Sequence, residues 1–380
     1  MIYMDHAATT PMSEAALRVY CEVSTRFYGN SSSLHDVGSE AQILLEECRK
    51  QLANYFNGSP EGIYFTSGGS ESNHLAIVSL ARANASKGKH LITTETEHAS
   101  IANTFALLEN EGFRVTKIPV DPIGVVHVAA IQEALTEDTI LASIGHANSE
   151  IGTVQPLKEI GQLLKANGVL FHSDCVQTFG KVPFDIKTIG LDSLSVSSHK
   201  VYGPKGVGAC YIAPEVLWHP SIPGSTHEKG FRAGTVNVPG NAAFVAAVEE
   251  MISEISEYEG HYRMLRKKFV DFAKSDERIT IEGHPIAHLP STIGFRVKGI
   301  EGQYLMLELN RKNFAVSTGS ACSVGKQSPS KTMLAIGRNP DEARELVRIS
   351  FGKATTEKDV AALVAALEEI LAKAKRAKTI

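Results

Sequence analysis

The chain has 380 residues, of which 43% are hydrophobic and 21% charged, and a formal net charge of −4. That balance describes an ordinary globular protein with room for a large domain and a smaller one. It offers no basic field to nucleic acid or to an anionic membrane. No stretch is apolar and long enough to span a bilayer. The start Met1-Ile-Tyr-Met-Asp5 lacks the basic residues and apolar run of a signal peptide, so the cytoplasm is the expected address. Cys21, Cys48, Cys175, Cys210 and Cys322 are scattered, with no C-x-x-C pair. They indicate neither a disulfide framework nor a zinc site, and most are expected to be buried thiols.

From about residue 60 to 212, β-rich runs alternate with helical patterns. Expected strands are Gly62–Thr66, His90–Thr94, Val115–Pro119, Ile140–His146, Val169–Ser173, Ser193–Ser197 and Val207–Ile212. Helices are expected over Ser72–Ala85, Ser100–Asn110 and Leu157–Asn167. This alternation predicts an α/β domain with a mainly parallel sheet, and open sheets of that kind bind ligands at the carboxyl ends of their strands. A long helical pattern follows over Gly240–Ser275, with Gly260 as the expected break. Then come a strand at Thr292–Val297, a helix at Gly302–Lys312, a second β-type run ending near Ser317, and a terminal helix over Thr355–Lys375 opened by an N-cap. Residues from about 260 onward predict a smaller α+β domain.

The most informative stretch is Ser195-Val-Ser-Ser-His-Lys200-Val-Tyr-Gly-Pro-Lys-Gly-Val-Gly208. A lysine at a strand end in a cleft is suited to lose its proton and attack an aldehyde. Most lysines are solvated, yet a His-Lys pair in a Ser- and Gly-rich turn is unusual for one of those. Asp174 ends the run Val169-Leu-Phe-His-Ser-Asp174-Cys-Val-Gln177, where it suits either a helix N-cap or a functional carboxylate. The turn Thr66-Ser-Gly-Gly-Ser70-Glu-Ser-Asn73 joins a strand to a helix. Its glycines let the backbone approach an anion at free helical N–H groups, although a plain capping turn explains it equally. His98, just past a strand, suits stacking on a planar cofactor or a structural hydrogen bond. Arg348 sits in the apolar run Leu346-Val-Arg-Ile-Ser-Phe351. There it needs a partner, either a substrate carboxylate or a structural ion pair. Cys322 lies in the small, polar stretch Ser317-Thr-Gly-Ser-Ala-Cys322-Ser-Val-Gly-Lys-Gln-Ser328, which reads as an accessible loop thiol.

In their joint order these segments resemble the pyridoxal phosphate (PLP)-dependent cysteine desulfurases of the NifS/IscS type, in the class V aminotransferase family. The resemblance runs from Tyr3-Met-Asp-His-Ala-Ala-Thr-Thr-Pro11 to Phe351-Gly352. It takes in Gly29-Asn-Ser-Ser-Ser-Leu-His35, Thr96-Glu-His98, His146-Ala-Asn-Ser-Glu-Ile-Gly152 and Arg232-Ala-Gly-Thr235. It implies the fold of type I PLP-dependent transferases. A large PLP-binding domain (15–259) would be joined to a small α+β domain (1–14 with 260–380) carrying the cysteine loop, and the chain would form a homodimer.

On that resemblance Lys200 would carry the cofactor as a Schiff base, Asp174 would pair with the pyridinium nitrogen, His98 would stack on the ring, and Gln177 would meet the ring hydroxyl. Gly69, Ser70, Ser197 and His199 would hold the phosphate, joined by Thr235 from a second copy. Asn148 and Arg348 would grip the substrate carboxylate. Cys322 would be the nucleophile that takes sulfur from L-cysteine, leaving L-alanine and a persulfide for an acceptor such as an iron–sulfur scaffold protein or a tRNA thiolation enzyme. Lys200, Cys322 and His98 would be the catalytic groups, with no metal. A selenocysteine lyase or another PLP-dependent β-eliminase is the alternative chemistry, and a delivery scaffold with weak catalysis is the non-enzymatic one. His6, Ser149 and Cys175 depart from the family's usual residues. They bear on substrate positioning rather than on the reaction class, and packing is the expected role of Cys175.

Overall fold

The computed structural model describes residues 1–319 and 328–377. Its strands, in chain order, are β1 (Ile2–Tyr3), β2 (Ile63–Thr66), β3 (His90–Thr94), β4 (Arg114–Ile118), β5 (Thr139–Ser143), β6 (Leu170–Asp174), β7 (Ser193–Ser197), β8 (Gly208–Ile212), β9 (Ile279–Glu282), β10 (Thr292–Val297), β11 (Phe314–Ala315) and β12 (Leu346–Ser350). Seven of them form one sheet in the order β2-β8-β7-β6-β5-β3-β4. Its neighbours pair in parallel except at β8, which runs antiparallel to both β2 and β7. Two reversals cancel, so the six other strands all end on one edge. The parallel interior explains the sequence of β5, Thr139-Ile-Leu-Ala-Ser143. Every residue of it is buried, as a strand covered on both faces requires.

Helices cover both faces. Leu157–Ala166 buries Leu157, Ile160, Gly161 and Leu164, the spacing of one helical face. The Gly69–Asn84 helix is buried almost throughout, and Asp36–Asn54 packs its Leu45, Cys48 and Leu52 into the largest core. Among the described residues no helix is long and apolar enough to cross a membrane.

A second core lies beside a three-stranded sheet, ordered β12-β10-β9. It joins Leu265, Phe269, Ile293, Phe295, Val347, Ile349, Leu363 and Leu367 with Met4 from the N-terminus. Here β1 pairs with β11, so the first residues of the chain dock on its last third. The α/β class and the mainly parallel sheet expected from the sequence are present. The helix break is not where Gly260 placed it: the helices are Val238–Ser253 and Ile255–Ser275, interrupted at Glu254. Gly260 lies inside the second helix with nothing near the position a Cβ would take. The chain turns where it leaves one core for the other. Met251 belongs to the large core, whereas Tyr262 and Leu265 belong to the second.

Arg49 pins the Asp36–Asn54 helix to the sheet. Its guanidinium grips Glu228 through two bonds of 2.8 and 2.9 Å and donates to the Ile63 carbonyl at 2.7 Å. Glu228 also accepts from the Phe65 N–H at 2.6 Å. Both side chains are nearly inaccessible to water, so removing one leaves a buried charge without its partner. Glu228→Ala is therefore expected to destabilise the fold by about 3–5 kcal/mol. In urea unfolding, Arg49→Met combined with Glu228→Leu should recover a large part of that loss.

Burial also sets acid stability. It pushes the pKa of His146 down to about 4 and that of His172 down to about 3. Both are neutral in the fold, while the unfolded chain takes up protons below about 6.5. Below that pH the unfolded state binds more protons, so stability falls as pH drops. The thermal midpoint should decline from pH 6.5 toward 4 and continue to fall toward 3. His172→Gln should shallow the slope.

Candidate active site

The shared edge of the parallel strands gathers most of the predicted groups. Asp174 ends β6, and Lys200 closes the short turn Ser198–Lys200 that follows β7, the adjacent strand. Asn148 follows β5, and His98 follows β3 as the N-cap of the Ala99–Asn110 helix. Ser197 is the last residue of β7, and Gly69 and Ser70 open the Gly69–Asn84 helix beyond β2.

Asp174 is held from both sides. Its Oδ1 accepts the Val176 N–H at 2.9 Å, and its Oδ2 accepts from Asn73 Nδ2 at 2.8 Å. Asn73 also donates to Ser100 Oγ at 3.0 Å, and its Oδ1 lies 3.2 Å from His172 Nε2. Neutral His172 donates from that nitrogen, so its Nδ1 accepts from Ser193 Oγ at 2.9 Å. The chain Ser193–His172–Asn73–Asp174 fixes the carboxylate plane beneath the edge. Sequence reasoning gave Asn73 and His172 no role, although both lie in segments it singled out. Glu97, beside His98, is a third such residue. It accepts from Thr94 Oγ1 at 2.8 Å and from the Gly145 N–H at 3.0 Å. Burial pushes its pKa up to about 7, against those hydrogen bonds and helped by nearby Asp174.

The start of the Gly69–Asn84 helix is built for close approach. Gly68 adopts φ +148°, and a Cβ on Gly208 would stand 2.6 Å from the Gly68 Cα. A side chain at either position meets strain or backbone. The first intrahelical bond runs from the Ser72 N–H to the Gly68 carbonyl, so the N–H groups of Gly69, Ser70 and Glu71 precede the ladder. Ser197 Oγ is buried without a partner and lies 3.7 Å from where a Cβ on Gly68 would sit.

Lys200 Nζ donates to the carbonyls of Ala7 and Ala8 at 2.6 and 2.8 Å. Gln177 Nε2 donates to the same Ala7 carbonyl at 3.1 Å, and its Oε1 is buried without a partner. His199 Nδ1 lies 3.1 Å from Thr9 Oγ1. Burial, Lys200, Lys205 and Lys181 push the His199 pKa down to about 4. His98 is exposed, with its Nδ1 2.8 Å from Ser100 Oγ.

Arg348 is buried. It donates to Asp5 Oδ1 at 2.6 Å and to the Ser149 carbonyl at 3.0 Å, while its Nε has no partner. Asp5 was not singled out in the sequence, although the need of a buried guanidinium for a carboxylate was. Asn148 spends its Oδ1 on the N–H groups of Glu150 and Ile151, and its Nδ2 reaches Thr332 Oγ1 at 3.2 Å. Thr235 is exposed ahead of the Val238–Ser253 helix and makes no hydrogen bond to the cluster among the described residues. Cys322 lies outside the described residues. Cys175 is fully buried, with its thiol pKa pushed up to about 12 chiefly by burial, so it packs in the core.

Residues 2–363 match the aminotransferase class-V family. The chain is 45% identical to the putative cysteine desulfurase NifS of Halalkalibacterium halodurans over 371 residues, 98% of each chain. It is 48% identical to the putative cysteine desulfurase NifS of Bacillus subtilis over 373 residues, covering 96% of this chain and 93% of that one. A solved NifS-like protein superposes with a TM-score of 0.91 at 34% identity, over 98% of this chain and 99% of the other. The chain belongs to the class-V aminotransferase family, among the cysteine desulfurases of the NifS and IscS type.

Proposed function

We propose that the protein is a cytoplasmic PLP-dependent cysteine desulfurase that moves sulfur from L-cysteine to Cys322 and releases L-alanine. The observation that carries this reading is the placement of Lys200 and a clamped Asp174 at the ends of adjacent strands, beside a helix start shaped for an anion. The residues present fit pyridoxal phosphate. The leading N–H groups of the Gly69–Asn84 helix and the orphaned Ser197 hydroxyl suit its phosphate. Asp174 suits the pyridinium nitrogen, and the orphaned Gln177 Oε1 suits the ring hydroxyl. His98 is exposed at the start of the Ala99–Asn110 helix, where it would stack on the ring, and His199 precedes Lys200.

Bound there, the cofactor supplies an electron sink for charge that develops at the substrate α-carbon. Asp174, held by Asn73, would pair with the ring nitrogen and favour its protonated form. Lys200 Nζ, at the end of the strand beside that of Asp174, would be the base at hand for the substrate α-proton. Arg348 binds the substrate carboxylate through its fork, with Asn148 beside it. The Cys322 thiolate attacks the substrate sulfur: an S–S bond forms, the carbon–sulfur bond breaks with its electron pair left on the substrate carbon, and protonation there completes alanine. The persulfide then passes to an acceptor protein, an iron–sulfur scaffold or a tRNA thiolation enzyme.

Two separate cores support the division into a large domain (15–259) and a small one (1–14 with 260–380). Exposed Tyr28, Leu34 and Ile43 support a homodimer, and the family resemblance assigns Thr235 of each copy to the other's phosphate site.

The purified protein with PLP should be yellow, with a band that shifts on adding L-cysteine. Lys200→Ala should give no borohydride-fixed adduct by mass spectrometry, and Cys322→Ala should lose sulfide and alanine release by at least ~100-fold. Equal turnover of cysteine in Cys322→Ala, or turnover of selenocysteine alone, would point to a lyase instead. Arg348→Lys keeps the charge but loses the fork. About 2 kcal/mol of lost carboxylate binding predicts a roughly thirtyfold higher KM for cysteine, with a smaller change in kcat.

A further inference from the structure

Arg348 is assigned to the substrate carboxylate, yet it already holds a carboxylate of the chain itself. Its Nη2 donates to Asp5 Oδ1 at 2.6 Å and its Nη1 to the Ser149 carbonyl at 3.0 Å. The Arg348 side chain is 2% exposed, and Asp5 is its only ion-pair partner among the described residues. The two bonds leave further N–H donors of the fork unspent, and the Nε–H has no partner. The pair is not a chance meeting of neighbours in sequence, because 343 positions separate its members.

Both members are fixed by backbone bonds. Asp5 bridges Ser350, and its carbonyl accepts from the Ala8 and Thr9 N–H groups and from the Tyr3 hydroxyl. Arg348 lies inside β12, opposite Gly294 of β10, and exchanges both backbone hydrogen bonds with Ser317. A carboxylate that binds the remaining donors of this guanidinium therefore meets the Asp5 carboxylate on the same cation. Like charges that share one partner repel each other. With no ligand bound, the same Asp5 spares the fold a buried, uncompensated cation. Asp5 thus stabilises the empty site more than the filled one.

We infer that Asp5 is a resident counter-ion that competes with the substrate carboxylate for Arg348 and so weakens the hold of the site on amino acids, the product alanine included. The inference rests on the assignment of Arg348 to the substrate carboxylate. A purely supporting role has the opposite sign. If Asp5 only aimed the guanidinium, its loss would weaken carboxylate binding. If it competes, removing its charge strengthens that binding, because the ligand then becomes the counter-ion of a buried cation. Asparagine keeps an oxygen that accepts from Nη2, so the exchange removes charge and leaves the hydrogen bond. Alanine has to leave before the next cysteine enters, and a guanidinium without a rival anion would retain it.

The test is the titration of the visible band of the PLP-bound protein with L-alanine and with L-alaninamide, which lacks the negative charge, in wild type and Asp5→Asn. Asp5→Asn is expected to bind alanine about tenfold more tightly and to bind alaninamide within about twofold of wild type. Unchanged or weaker alanine binding in the variant overturns the proposal, and so does equal tightening of both ligands. Should Asp5→Asn fail to fold, Asp5→Ser takes its place under the same criteria. A wild type that binds alaninamide as tightly as alanine overturns the assignment of Arg348 and the inference with it. If wild type forms no band with PLP, the cofactor reading fails instead. The proposal is then decided on the cofactor-free protein, by the rise in thermal midpoint with acetate over chloride at equal ionic strength. A larger rise in Asp5→Asn than in wild type is expected, and an equal or smaller one overturns the proposal.

Discussion

The active edge depends on how the first ten residues lie across it. The Ala7 and Ala8 carbonyls receive Lys200, and Ala7 also receives Gln177. Asp5 neutralises Arg348 from the second core, and the Ala7 N–H bonds Ser350 Oγ. Thr10 accepts the Tyr202 N–H and bonds the His199 carbonyl. This single N-terminal strap, which turns at His6–Ala8, supplies polar partners to groups that two separate cores deliver. The turn closes on the Asp5 carbonyl, which leaves the Ala7 and Ala8 carbonyls to find side-chain donors. Lys200 and Arg348, the residues proposed for cofactor and substrate, are thereby referenced to one short piece of chain.

Further order in the site comes from the pairing of Asp174. Asp174 is a carboxylate under an apolar sheet edge, and such a group is costly unless every lone pair is directed. Asn73 and the Val176 N–H meet that demand. Among the described residues twelve buried polar side-chain atoms have no protein partner, and three of them, Ser197 Oγ, Gln177 Oε1 and Arg348 Nε, belong to groups assigned to cofactor and substrate.

Much of this was legible in the sequence because it rests on local rules. Short β-rich runs of five or six residues marked β3, β7 and β10 to the residue, and amphipathic spacing marked the Leu157 helix to within one residue at its end. Lysine, aspartate and histidine stood out because each follows a strand. What stayed hidden depends on tertiary contact. The Glu14–Arg26 and Asp36–Asn54 helices were not foreseen. The second is fixed in place by Arg49 reaching Glu228 across 179 residues. Gly260 misled because a glycine in a helix marks a break only where packing turns the chain, and packing turns it at Glu254. Asp5 carries no motif of its own. Its meaning comes from what the fold sets beside it.

The contact between Gly68 and Gly208 joins two parts of the chain that are 140 positions apart. One glycine shapes the loop before the helix start, and the other opens β8, the reversed strand after Lys200. A Cβ at 208 is blocked by the Gly68 backbone and the Val196 carbonyl, whereas Gly68 is held to glycine by its own φ of +148°. A change at 208, which offers a ligand nothing of its own, is inherited by the anion-facing loop as though it had been made there.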